Sequence, residues 1–218
     1  MATTVSMTNI VANSGKGWFP ATRGNCAWQL SSITPGDGAA SSIKIIPSGA
    51  GEVTLTSASH ALAASHKYYA TFKIRFEDAV TGTCDWYWPV AEPAAAAGMA
   101  VNAAAGAWTR LSAVFDRTSF SDGNYPCRFD YNNNDGGNKT FWLTSCMLID
   151  LTAAFGAGLE PSKEWLDKHI TAFSDAPTVQ YVDNLGELFK GIADAIRAKS
   201  GQAGEIFACD FADRIRAL

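Results

Sequence analysis

The chain has 218 residues, of which 47% are hydrophobic and only 17% charged, and its net charge is −4. That composition describes one well-buried globular domain with room for a small appendage, and it excludes a disordered chain. It gives no basic footprint for nucleic acid, and no apolar run reaches the ~18 residues of a membrane-crossing helix.

The N-terminal stretch lacks both a basic start and a long apolar core, so it does not read as a secretory signal, and folding in a cytoplasm is the expectation. From residue 4 to 57 the chain is rich in Gly, Ser, Thr, Asn and Ala, with turn signals at Gly24-Asn25, Pro35 to Gly38 and Ser48 to Gly51. Between them Cys26–Leu30, Ser42–Ile46 and Val53–Ser57 have strand length, and turns at such spacing mark an all-β sandwich. In the next stretch, Tyr68, Ala70, Phe72, Ile74 and Phe76 alternate with Tyr69, Thr71, Lys73, Arg75 and Glu77. Period-two alternation of this length sends one face into a core and leaves the other for solvent or a partner.

Strand candidates follow at Asp85–Val90, Met99–Ala103, Trp108–Thr118 and Tyr125–Tyr131, the last closed by an Asn-, Asp- and Gly-rich hairpin turn at 132–137. The longest apolar run comes next, KTFWLTSCMLIDL from Lys139 to Leu151, and it reads as a deeply buried strand. That makes about nine or ten strands, antiparallel by their short connections, with none of the βαβ alternation of a nucleotide-binding fold.

After Pro161 the pattern turns helical. Ser162 is placed to cap a helix carrying Trp165, Leu166 and Ile170. Leu185, Leu188, Phe189, Ile192 and Ile196 then keep helical spacing, and Phe211 and Ile215 belong to a last turn capped by Asp210. A helical piece this small must bury its apolar face elsewhere, so these seven residues are the expected assembly interface. The predicted architecture is mainly β: an antiparallel β-sandwich, a jelly roll, over 1–158, followed by a small α-helical attachment or oligomerisation module over 159–218.

Three stretches resemble the second half of a carbohydrate-binding-module-like β jelly roll: Trp108–Asp116, the hairpin at Asn134-Asp135-Gly136, and the strand ending MLIDLT. The opening NIVANSGKGW, with Trp18, fits its N-terminal strand more loosely, and the likeness spans about residues 8–155. DLTAAFGAGLEPS (Asp150–Ser162), IADAIRAKSG (Ile192–Gly201) and DFADRI (Asp210–Ile215) resemble segments of bacteriophage structural and adhesion proteins. The resemblance implies a virion component, assembled in the bacterial host cytoplasm, with other virion proteins and further copies of itself (a trimer, for example) as partners. It also implies a structural calcium at Asp150, although Leu151 stands where the family often has a second acid.

The densest aromatic cluster is Trp86, Tyr87 and Trp88. Exposed indoles at Trp86 and Trp88 would stack on sugar rings, with Arg75, Arg110 and Asp130, and also Lys73, Glu77 and Arg128, supplying polar contacts. Buried, the same residues would be core or subunit-interface anchors, and both readings stay open. The five cysteines, Cys26, Cys84, Cys127, Cys146 and Cys209, include no CxxC or CxxH pair and read as reduced and mostly buried, without zinc. His60, His66 and His169 are scattered and read as solvated or capping residues, while Glu160 and Glu164 suit a helix N-terminus. No catalytic motif is present, so no enzyme and no cofactor is expected. A tail or baseplate adhesion module binding host surface glycans leads. A capsid decoration or head-fibre protein is the alternative, and a polysaccharide-degrading enzyme ranks below both.

Overall fold

A computed structural model describes residues 3–11, 22–49, 51–87, 96–116, 121–133, 138–181 and 192–199. Strands β1 (Thr3–Ser6), β2 (Thr22–Gly24), β3 (Cys26–Ser31) and β4 (Ser42–Pro47) open the chain. Then come β5 (Val53–Leu62), β6 (Lys67–Phe76), β7 (Val80–Tyr87), β8 (Ala96–Ala103), β9 (Trp108–Asp116), β10 (Gly123–Asn133) and β11 (Phe141–Asp150). Two short helices, α1 (Leu151–Phe155) and α2 (Lys163–His169), precede strand β12 (Thr178–Tyr181), and residues 192–199 are helical.

Two five-stranded sheets form the sandwich, a front sheet in the order β2-β5-β10-β7-β8 and a back sheet in the order β3-β4-β11-β6-β9. Neighbouring strands in both run antiparallel. The fold is therefore the antiparallel β jelly roll that the sequence predicts, with only small helical elements.

The alternation in β6 explains the core. Tyr68, Ala70, Phe72, Ile74 and Phe76 are buried and meet Val53, Leu55, Phe129 and Tyr131 of the front sheet. The Phe72 and Phe129 rings meet edge to face at 5.3 Å, and Tyr131 packs likewise on Phe141 at 5.2 Å. Such aromatic pairs add about 0.5–1.5 kcal/mol each beyond the area they bury. β11 sits between β4 and β6, and every residue from Phe141 to Ile149 is buried. Its register against β6 shifts between Thr144 and Met147, where Ser145 takes a φ of 55°.

Part of the second face of β6 meets the chain's own helices: α1 packs on β6 and α2 on β9. Asn9, fully buried, ties the N-terminal segment to β11, since its Nδ2 donates to the Cys146 carbonyl at 3.1 Å. Its Oδ1 accepts from the Leu148 amide at 2.9 Å.

Contacts divide the chain into two units, Ser6–Thr178 and Met1–Val5 with Val179–Leu218. The boundary read from sequence at 158/159 falls inside the larger unit, because α2 and the 170–177 segment belong to the sandwich. The smaller unit contains the β1–β12 pair, in which Gln180 Nε2 donates to Thr4 Oγ1 at 2.7 Å. On its helix at 192–199, Ala193 and Ile196 are buried with Ile192 packed beside them. Leu185, Leu188, Phe189, Phe211 and Ile215 lie outside the described residues.

Candidate functional site

Residues directly opposite each other in an antiparallel pair share a face. In the front sheet, Phe129 opposes Leu55, and Tyr131 opposes Val53 and Cys84; all five are buried in the core. The alternate positions therefore form the outer face: Asp130 opposite Thr54 and Asp85, and Arg128 opposite Thr56 and Tyr87.

On that face Arg128 Nε donates to Asp130 Oδ2 at 2.7 Å, and Nη2 donates to the same oxygen. The guanidinium lies 4.3 Å over the Tyr87 ring. The hydrogen bond to Asp130 pushes the Arg128 pKa above its ordinary value. Asp130 is 2% exposed, and its Oδ1 is buried with no hydrogen-bond partner among the described residues. Leaving a buried acceptor unmade costs about 1–3 kcal/mol, and more when it is charged. Glu52, nearby, has its pKa raised by burial and by the charge of Asp130. This cluster offers an acceptor, a donor and a stacked ring, which is the equipment for binding a polyhydroxylated ligand.

The outer face of the back sheet is mostly closed. Tyr69 OH donates to Asp167 Oδ1 at 2.7 Å, as does Ser112 Oγ at 2.7 Å, and Lys163 Nζ reaches Oδ2 at 2.6 Å. Arg110 donates from Nε to Thr71 Oγ1, from Nη1 to the Asp167 carbonyl and from Nη2 to Tyr69 OH. Burial opposes ionisation of Asp167, but the bonds from Lys163, Ser112 and Tyr69 outweigh it and hold the carboxyl below its ordinary range. Burial and the bond to Asp167 together push the Tyr69 phenol upward.

Asp37, presented by the Pro35 to Gly38 turn, lies 2.7 Å from Lys73 Nζ and accepts from Ser145 Oγ at 2.9 Å. Burial works against its ionisation too, and the bonds from Lys73 and Ser145 prevail, so its pKa is lowered.

The residues singled out from sequence for glycan contact thus fall on two sheets. Asp130 is on the front sheet, while Arg75 and Arg110 are on the back sheet. Trp86 pairs through its main chain with Phe129 and Ala96. Its side chain, and Trp88, lie outside what the structure describes. At Asp150, Oδ1 accepts from Ala153 N at 2.9 Å as the cap of α1, and Oδ2 lies 2.8 Å from His66 Nδ1. Both oxygens are engaged within the chain, and among the described residues no group of three or more His, Cys, Asp or Glu side chains is set to hold a metal. Cys84, Cys127 and Cys146 are buried and form no disulfide, nor does the half-buried Cys26, and Cys209 is outside the described residues. Sequence reasoning overlooked His66 as the partner of Asp150, and no spacing signal joins residues so far apart in the chain.

No protein-family model matches the chain, and no curated protein does. Among solved structures, an arabinose-bound α-L-arabinofuranosidase aligns over 66% of this chain and 26% of its own, at 14% identity and a TM-score of 0.50. A carbohydrate-binding module of a Cellvibrio mixtus lichenase, in complex with cellotriose, aligns over 69% of this chain and 98% of its own, at 14% identity and TM-score 0.42. The enzymatically active domain of tailspike protein 4 of bacteriophage CBA120 aligns over 64% of this chain and 21% of its own, at 12% identity and TM-score 0.43. The chain spans only about a quarter of the arabinofuranosidase. At these identities the likeness is one of fold: this is a jelly-roll β-sandwich module. The outer face of its front sheet carries a buried carboxylate oxygen, Asp130 Oδ1, that no described residue bonds.

Proposed function

We propose that the chain is a non-enzymatic adhesion module of a bacteriophage particle, at the tail or baseplate, that binds host surface glycans through the outer face of the front sheet. The observation carrying this reading is Asp130 Oδ1. A sugar hydroxyl donating to it would satisfy an acceptor that no described residue bonds. Arg128 would donate to a neighbouring sugar oxygen while still stacked on Tyr87. The virion assignment, with assembly in the host cytoplasm beside other virion proteins, rests on the phage-like segments at 150–162, 192–201 and 210–215.

The test is a bacterial glycan array probed with the wild-type chain, Asp130→Asn and Arg128→Gln. Binding by the wild type that falls roughly tenfold or more in both variants is the expected result, the scale of one lost charge-assisted hydrogen bond. Equal signals from all three proteins would remove the front face from the reading. Silence of the wild type on every glycan would leave the capsid-decoration or head-fibre role. Deleting residues 180–218 is expected to lower the oligomeric order measured by light scattering; an unchanged mass would sink the attachment role of the helical tail.

A further inference from the structure

On the back sheet's outer face a row of side chains can be followed across all five strands. Register places Gln29, Lys44, Trp142, Arg75 and Trp108 side by side across all five strands, β3, β4, β11, β6 and β9. The next row inward, Thr144, Lys73 and Arg110, is where the covered network of Asp37 and Asp167 begins.

Trp142 is only 4% exposed, and the two cations flank it: Lys44 Nζ lies 5.1 Å and the Arg75 guanidinium carbon 4.7 Å from the indole centroid. Trp142 Nε1 donates to Ser31 Oγ at 3.2 Å, which fixes the ring. Arg75 is held at a second point, since its Nε donates to the Gly106 carbonyl at 2.9 Å. Gly106 has φ 72°, and a Cβ there would come within 3.2 Å of Arg75 Nη2, so glycine is what leaves the guanidinium its place.

Neither Lys44 nor Arg75 forms an ion pair among the described residues. Of the nearest acids in sequence, Asp78 lies 3.9 Å from Lys139, and Glu77 joins no ion pair there. In a chain of net charge −4, two cations fixed on an aromatic plate without an acid partner form a local inversion of charge. A stacked Arg whose terminal nitrogens bond no described residue is pre-organised to grip a planar carboxylate with two parallel bonds.

We propose that this row is a second binding site, for an acidic polysaccharide whose carboxylates engage Arg75 and Lys44 while a sugar ring rests on the half-exposed Trp108. Lys44 and Arg75 stand two strand spacings apart, roughly 10 Å, so a polymer with repeated carboxylates reaches both where a single small anion reaches one. A protein partner would want an apolar anchor at the centre of the patch. Here the centre is Trp142, already covered by its two cations. Nucleic acid would require many more phosphate contacts than two cations provide. The site lies on the sheet opposite Asp130 and does not depend on the front-face reading, and the two are separated by their probes.

The experiment is affinity electrophoresis of the full chain through gels containing polygalacturonate, neutral dextran, poly-glutamate or duplex DNA. The variants are Arg75→Gln, Lys44→Gln and, as a charge-matched control on α2, Lys168→Gln. A circular-dichroism melt of each establishes folding, and two separate cation variants guard against the failure of one. Polygalacturonate is expected to retard the wild type and Lys168→Gln, with retention fading as salt rises. Each of the other two variants should weaken retention roughly tenfold or more. Dextran should retard none of them. The proposal is overturned if polygalacturonate does not retard the wild type, or if Arg75→Gln and Lys44→Gln run as the wild type does. It is also overturned if poly-glutamate or DNA holds the chain as tightly, since the row would then serve an acidic protein or a nucleic acid.

Discussion

The two outer faces of this sandwich are built from the same kinds of side chain and treat them in opposite ways. Under α2, on the back sheet, Asp167 receives bonds from Tyr69, Ser112 and Lys163, and Arg110 spends its donors on Thr71, Tyr69 and the Asp167 carbonyl. On the front sheet Asp130 has one oxygen fully used by Arg128 and the other unused, although it is as buried as a core residue. A covered polar face is a closed account in which each group stabilises the docking of a helix. A polar face that keeps a buried acceptor without a described partner gives up a little stability.

The largest effect that would break this comparison is on the covered side. Asp167→Ala leaves the buried Tyr69 hydroxyl and Ser112 without their acceptor and loosens α2, so a loss of about 2–3 kcal/mol is expected in urea denaturation. For a domain of this size that is a fall in Tm of roughly 4–12 °C. Asp130→Asn, by contrast, keeps the shape of a side chain that already lacks one partner, and it should cost no more than about 1 kcal/mol. If the two substitutions cost the same, the distinction between a closed and an open face fails, and with it the argument for a ligand at Asp130.

How much of this was legible in the sequence follows the same divide. The inward set of β6 could be read residue by residue, because a strict period of two has only one way to place Tyr68, Phe72 and Phe76 in a core. The buried strand at Phe141–Asp150 was legible as a continuous apolar run, yet the cover on the outer face of β6 and β9 beside it was not. That cover arrives through α2, a seven-residue helix docked by polar contacts from Asp167, 98 positions along the chain from Tyr69. The pattern of Ser162, Leu166 and Ile170 announced the helix itself, and what it could not announce was the set of hydrogen bonds that seats it. Asp150 is a different case: it ends β11 as the sequence reading has it, and its further role as N-cap of α1, accepting from the Ala153 amide, went unread. The split of Arg75 and Arg110 from Asp130 depends on which strand joins which sheet, and strand order is set by pairings far apart in the chain.

Acid titration sharpens the contrast between faces at a smaller scale. The carboxyls of Asp37 and Asp167 are held below their ordinary values in the folded state. Such groups stabilise the fold fully above the unfolded carboxylate pKa of about 3.9, and that contribution drains away as pH falls through their lowered folded values. Glu52, on the front side, is shifted the other way, so its contribution favours the folded state at low pH and is lost as pH rises through its raised value. Melting temperatures between pH 7 and pH 3 should therefore drop less steeply for Asp37→Asn than for the wild type. Glu52→Gln should melt slightly higher than the wild type at neutral pH and converge with it in acid. Parallel curves for all three proteins would mean that the local charges on the two faces do not differ in the folded state.

The smallest effect lies at the rim of the covered face. Lys163 and Asp167 stand one turn apart on α2, 2.6 Å between charged atoms, with the lysine side chain 42% exposed. An exposed pair with this spacing is worth about 0.3–0.5 kcal/mol, and salt screens it. Lys163→Ala should therefore cost no more than that in urea denaturation, and the cost should fade at high salt, because Tyr69 and Ser112 still hold the carboxylate from beneath. A loss approaching that of Asp167→Ala would show the opposite arrangement, with the helix anchored from its solvent side and the sheet beneath it merely resting there. The closed face would then owe its closure to one surface cation, and the contrast with Asp130 would have to be sought in exposure alone.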